Sequence, residues 1–188
     1  MRFARLLVLS AALVASSAVL GACGDDPLFP DVQLTTDTVT LIVPGNLEPS
    51  ALDLARATLP FTLLRRPELV QDAAEWDIAL RRTAAGGLSF LPFDQPGSPY
   101  RGAGIRTTTD NFDTIDKAPR ATTAYGDDPV PVTANAVYLF RSRQYPTQGG
   151  LCVNYARAKV IAVDAAAGTA KVAVVINRNC DDERLQED

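Results

Sequence analysis

The last third of the chain constrains the fold more tightly than any other part. Val153 to Val163 and Thr169 to Asn177 are apolar, β-branched runs on either side of Asp164-Ala165-Ala166-Ala167-Gly168. Two such runs around a short loop with glycine, where positive φ is needed, predict a β-hairpin. If the hairpin is symmetric about Ala166, Ala156 faces Ile176, Ala158 faces Val174, Val160 faces Val172 and Ala162 faces Ala170. That face is wholly apolar, and the other carries Arg157, Lys159 and Lys171. In the same register Cys152 and Cys180 fall opposite each other at the open end, where a disulfide would close the ladder. The residue pattern and the cysteine positions are independent signals, and they agree. Closing the loop is worth about 3 kcal/mol by loop-closure entropy. The alternative is a pair of free buried thiols.

Upstream, strands again dominate. Val39, Leu41 and Val43 alternate with Thr38 and Thr40, which predicts a strand within Val32 to Val43, ended by Pro44-Gly45-Asn46. Ser50 to Asp53 has capping-box spacing and predicts one or two turns of helix over Ala51 to Ala57, stopped by Pro60. Phe61 to Leu64 is a short apolar run, and Pro67 to Ala74 reads as a second brief helix with proline at its first position. Trp76 to Arg82 alternates with Trp76, Ile78 and Leu80 on one face and Asp77, Ala79 and Arg81 on the other, as in a half-buried strand. Ala84 to Gly87 supplies a turn, and Leu88 to Phe93 a return strand. From Pro92 to Thr133 proline, glycine, threonine and aspartate make a long irregular excursion, with Ile105 and Phe112 to Ile115 as its anchors. Val137 to Ser142 is a strand, Gln144 to Gly150 turns the chain, and the charged tail 181–188 is expected to fray. The class that follows is all-β or β-dominated: one domain over 32–188, built of antiparallel hairpins with a disulfide-closed C-terminal hairpin.

The N-terminal region points to export. Arg2 and Arg5 precede an apolar run from Leu6 to Leu20, and Leu20-Gly21-Ala22-Cys23 follows the bacterial lipobox pattern. Residues 1–22 therefore read as a lipoprotein signal peptide, too short for a membrane-spanning helix, with Cys23 as the lipid attachment site. Residues 23–31 read as a lipidated cysteine and tether, rich in proline and aspartate. Gly24, rather than aspartate, follows Cys23, which points to the outer membrane. The expected location is extracytoplasmic and lipid-anchored, and a disulfide suits that compartment.

Composition narrows the chemistry. There are 18 basic and 22 acidic residues; with Arg2 and Arg5 removed, the remainder is six charges negative. Beyond Arg65-Arg66 and Arg81-Arg82 no basic cluster offers a footprint for nucleic acid. Histidine is absent, and the one methionine is Met1. Triad hydrolysis lacks a base, and the usual zinc sites lack ligands. Asp110, Asp113, Asp116, Asp127 and Asp128 offer carboxylates for a glycan hydrolase, but no spacing pairs two of them. Asp110, Asn111, Asp113 and Asp116 do not follow the EF-hand spacing for calcium. The expectation is a protein that is not an enzyme. Tyr138 and Tyr155 sit in predicted strands as core residues. Tyr100, Arg101 and Tyr125 lie in or beside irregular sequence, with Arg106 nearby, and are the candidate ligand contacts.

Trp76-Asp77-Ile78-Ala79-Leu80-Arg81-Arg82-Thr83 running into Gly86-Gly87, with the later Tyr155-Ala156-Arg157-Ala158-Lys159-Val160, resembles the HmuY family of lipid-anchored, β-rich envelope proteins. That resemblance implies a β-rich ligand-binding domain on the envelope, with haem as the ligand of well-known members. Those members hold haem through paired histidine or methionine side chains, which residues 23–188 lack. No cofactor is assigned on this basis; haem or another tetrapyrrole would have to be held by tyrosine or by an apolar cleft. The expected partners are the membrane, through the lipid anchor, and either a small-molecule ligand or an envelope protein. The competing expectation is a structural or assembly lipoprotein whose excursion from Pro92 to Thr133 docks a protein partner.

Overall fold

Among the described residues, alternating apolar residues and short turns build twelve strands, all paired antiparallel. The computed structural model describes residues 31–45, 48–55, 63–94, 96 and 98–187, and those from Val32 onward form one compact unit. In chain order the strands are β1 (Leu34–Ile42), β2 (Ala51–Leu52), β3 (Leu64–Arg65), β4 (Ile78–Arg82), β5 (Leu88–Pro92), β6 (Gly104–Thr108), β7 (Val130–Pro131), β8 (Val137–Arg141), β9 (Tyr145–Thr147), β10 (Gly150–Cys152), β11 (Tyr155–Asp164) and β12 (Thr169–Asn177). One five-stranded sheet runs β1-β12-β11-β8-β6, the other runs β3-β2-β4-β5-β7, and β9 with β10 makes a small separate hairpin.

The two large sheets share one core. Leu41, Val160, Val172, Val174 and Ile176 of the first sheet join Leu52, Ile78 and Leu80 of the second in a single buried cluster. Phe90 of β5 meets Tyr138 and Phe140 of β8 edge-on, with ring centroids 5.3 and 5.6 Å away. Inner-face residues of two sheets interdigitating in this way are how a β-sandwich removes apolar surface from water. A second, smaller cluster lies on the outer face of the first sheet. Val137, Leu139 and Tyr155 are covered there by Ile115, Ala118 and Leu185.

The C-terminal hairpin follows the predicted register for most of its length. Ala156 pairs with Ile176, Ala158 with Val174 and Val160 with Val172. At Ile161 a β-bulge shifts the ladder by one, so Ala162 pairs with Lys171 and Val163, not Ala162, faces Ala170. A one-residue slip moves side chains to the opposite face; Ala162 is exposed and Val163 packs on the core. Val160 is also bonded away from β12, through Asn135 N to its carbonyl (2.8 Å) and its own N–H to Ala136 O (3.0 Å). Gly168 closes the loop at φ 72°, and Arg82 of the other sheet donates to Ala165 O (2.6 Å) beside it. Cys152 and Cys180 are bonded, with Cα atoms 5.2 Å apart.

Several local expectations yield to tertiary contacts. Ala51–Leu52 is a strand rather than the start of a helix, because it lies between β3 and β4. Ser50 completes that ladder, donating to Arg65 O and accepting from Leu80 N. Asn46, Leu47, Arg56, Ala57, Pro60, Phe61 and Thr62 lie outside the described residues. Pro67 to Ala74 forms successive turns, such as Leu69 N to Arg66 O (2.9 Å), instead of a helix. The predicted hairpin of Trp76–Arg82 with Leu88–Phe93 is present as β4 and β5, but β4 is not half-buried: Asp77 and Ala79 are as inaccessible as Ile78 and Leu80. The excursion 92–133 is less irregular than its composition. It carries the edge strand β6, the short β7 and 3-10 turns at Phe112–Thr114 and Thr122–Ala124. Its expected anchors Ile105 and Ile115 are buried, with Phe112 partly so. The tail does not fray as predicted. Leu185 is fully buried, its N–H donates to Asp116 O (2.6 Å), and Ala118 N donates to Glu183 O (2.8 Å).

Candidate functional site

Strand β8 ends at Arg141, followed by Ser142-Arg143, and both arginines are buried. Arg143 is neutralised on arrival. Its Nη1 lies 3.2 Å from Asp53 Oδ1 and 3.0 Å from Asp77 Oδ1, and both carboxylates are completely inaccessible. Arg65 completes the group, its Nη2 2.9 Å from Asp53 Oδ2. Asp77 also accepts from the N–H groups of Leu54 (2.6 Å), Ala55 (3.0 Å) and Arg143 (2.7 Å). Burial raises the Asp77 carboxyl above its usual range, and the nearby Asp53 adds to this, while Arg143 and the N–H donors offset part of it. Burial alone would lower Arg143; Asp77 and Asp53 outweigh it and hold the guanidinium above its ordinary value. Asn154 extends the network, donating to Leu54 O (3.0 Å) and accepting from the Tyr145 hydroxyl (2.8 Å). This clasp ties the chain after β8 to β4 and to the end of β2. Its polar atoms are satisfied within the protein, so it reads as architecture.

Arg141 has a different setting. It sits between Gly104 of the edge strand β6 and Tyr155 of β11. Its Nη2 donates to Gly102 O (2.8 Å), while its Nε is buried without a partner. Among the described residues no carboxylate lies within 4 Å of it. Burial lowers this guanidinium below its ordinary value; Tyr155 and Tyr125 pull the other way, Arg101 adds to the lowering, and the more distant Asp77 offsets a smaller part of it. A buried cation without a counter-charge is costly to leave alone.

Arg141 lines a cleft of about 400 Å³, shared with Arg101, Asp94, Asp127, Thr123 and Tyr125. The excursion builds the opposite wall. Ile105 and Gly126 exchange two backbone hydrogen bonds of 2.9 Å, which set the Tyr125–Asp127 segment against β6. The approach is so close that a Cβ on Gly104 would meet Tyr125 Cβ at 2.7 Å. Arg101 is fixed by Gln144: its N–H donates to Gln144 Oε1 (3.1 Å), and Gln144 N donates to Arg101 O (2.8 Å). Its Nη1 donates to Thr122 Oγ1 (2.8 Å). A smaller cleft of about 160 Å³, lined by Phe93, Tyr100, Arg143 and Tyr145, shares Arg101 and Gly102 with the larger one.

Of the predicted contacts, Arg101 and Tyr125 thus meet in the larger cleft, while Tyr100 joins Arg101 in the smaller. Tyr138 and Tyr155 are core residues, as expected. Cys23, with the signal peptide and most of the tether, lies outside the described residues. Arg141 was not singled out from sequence. Its signal was an arginine continuing the face of Val137 and Leu139, where a third apolar residue would be expected. Haem ligation by Tyr125 does not fit this site. Ligation by tyrosine needs a phenolate, yet the Tyr125 hydroxyl donates to Pro119 O (2.9 Å), and burial raises its ionisation further out of reach. Tyr100 is 41% exposed, on the smaller cleft. No group of three or more potential metal ligands occurs among the described residues. Compared with known proteins, the chain matches no family model, no curated protein and no solved structure.

Proposed function

We propose that this is a lipid-anchored, non-enzymatic binding protein of the bacterial envelope that takes a small organic anion in the cleft beside Arg141. The lipobox ending at Cys23 and the residue Gly24 support display from the outer membrane. The observation that carries the binding function is the buried guanidinium of Arg141, which lines the cleft with its Nε unpartnered and no carboxylate within 4 Å of it among the described residues. A ligand carboxylate or phosphate would supply the missing charge through charge-assisted hydrogen bonds. The HmuY-like segments Trp76 to Thr83 and Tyr155 to Val160 are compatible with a binding role, although the site proposed here is an anion site and not one that ligates haem. The alternative, an assembly lipoprotein docking a partner through the excursion, has less support, since Ile105, Ile115 and Ala118 face the protein's own cores.

The test is thermal unfolding of the intact protein in acetate, succinate or phosphate, against chloride at equal ionic strength. A ligand that binds only the folded state raises the midpoint in proportion to its affinity. The expected result is a rise with at least one anion that Arg141→Gln abolishes. An identical response in wild type and variant would remove the proposal. For the anchor, Cys23→Ser is expected to release the protein from the membrane fraction; retention through intact acylation would contradict it.

A further inference from the structure

From the rest of the Arg141 cleft we infer the ligand's class: a hydroxylated carboxylate of the sugar-acid type. This rests on the anion-binding role proposed above. Arg141 and Arg101 share the cleft with Asp94 and Asp127, yet the opposite charges are not paired with each other; no ion pair within 4 Å joins them. Both aspartates are exposed, on the same cleft as the buried arginine.

That arrangement selects by chemistry. The guanidiniums donate only, and the carboxylates accept only. A polyphosphate would satisfy the arginines and be repelled by the aspartates. A neutral sugar would satisfy the aspartates through its hydroxyls and leave Arg141 uncompensated. A plain aliphatic acid would compensate Arg141 and offer the aspartates nothing. A sugar acid brings one carboxylate for Arg141 and several hydroxyl donors for Asp94 and Asp127, with Thr123 as a further polar wall group. A cleft of about 400 Å³ is within the size range of small-molecule sites.

Calorimetric titration of the intact protein at fixed ionic strength tests this, with D-glucuronate, D-glucose, succinate and inorganic phosphate as probes. Glucuronate is expected to bind at least about tenfold more tightly than the other three, the scale of one hydrogen bond to a charged group. Arg141→Gln should weaken glucuronate by about tenfold or more. Asp94→Asn and Asp127→Asn, both on exposed side chains, should weaken glucuronate severalfold while leaving succinate no weaker, since it offers the aspartates no hydroxyl and gains from the loss of a like charge. Succinate or phosphate matching glucuronate, with dependence on Arg141, would overturn the sugar-acid assignment while preserving the anion site. Binding of glucuronate that both aspartate variants leave untouched would overturn the assignment too. No heat with any anion would remove the anion site and this inference together.

Discussion

Arg141 and Arg143 leave the same strand two residues apart, and both are buried, but one is balanced and the other is not. Arg143 reaches two inaccessible carboxylates, one of them also held by Arg65. Arg141 reaches one backbone carbonyl and an open cleft. Low dielectric strengthens a charge pair and penalises a lone charge by the same physics. A satisfied buried network therefore marks architecture, and an unsatisfied one beside a cavity marks a place for a ligand. The Asp182–Arg184 pair, 2.7 Å apart on the docked tail and less deeply buried, completes the series.

The comparison breaks most sharply at Arg143. Arg143→Met strands Asp53 and Asp77 with less compensation and is expected to cost about 3–5 kcal/mol, read from urea unfolding; a loss below about 1 kcal/mol would mean the clasp holds little. Next in size, replacing both Cys152 and Cys180 by serine should cost about 3 kcal/mol through the freed loop. The cost should be additive with Arg143→Met if the clasp and the disulfide are independent. At Arg141 the expectation reverses. Arg141→Met removes a charge with no carboxylate within 4 Å among the described residues, so stability should change by no more than about 1 kcal/mol, or rise, while the response to anions disappears. A loss as large as at Arg143 would show that the two arginines are both structural.

The smallest effect concerns pH. Burial pushes the Asp182 carboxyl up, but hydrogen bonds from Arg184 and Asn177 pull it down to about 2. A carboxyl lowered on folding contributes stability that is present above its ordinary value of 3.8 and is lost as pH falls through about 2. Asp182→Asn should therefore be less stable than wild type by under about 1 kcal/mol at pH 5, and the two unfolding curves should converge as pH falls from 4 to 2. A constant gap across that window would assign the effect to something other than the charge.

Much of the fold was legible in period-two alternation. β1, β4, β5, β8, β11 and β12 all stand where their apolar pattern placed them, and Cys152 with Cys180 marked the end of the hairpin. The candidate site was half legible. Arg101 and Tyr125 were noticed as polar and aromatic residues in irregular sequence, but what separates Arg141 from Arg143 is the company each keeps. Asp53 and Asp77 are 90 and 66 residues away from Arg143, and Gly126 stands 21 positions from Ile105, its partner in the cleft wall. Asp77 was assigned to a solvent face because an aspartate in an alternating strand ordinarily belongs there; only a cation from a distant segment could make its burial tolerable.

The sequence by itself determined the β-rich class, the hairpin register from Ala156 to Val160 and the cysteine pairing, because these depend on side-chain period and on neighbours across one short loop. Tertiary structure decided the bulge at Ile161, the burial of Asp77, the docking of Leu185 and the cleft beside Arg141. Each of those depends on contacts between segments far apart in the chain, where the cost of burying a polar group is set by whatever the fold brings to meet it.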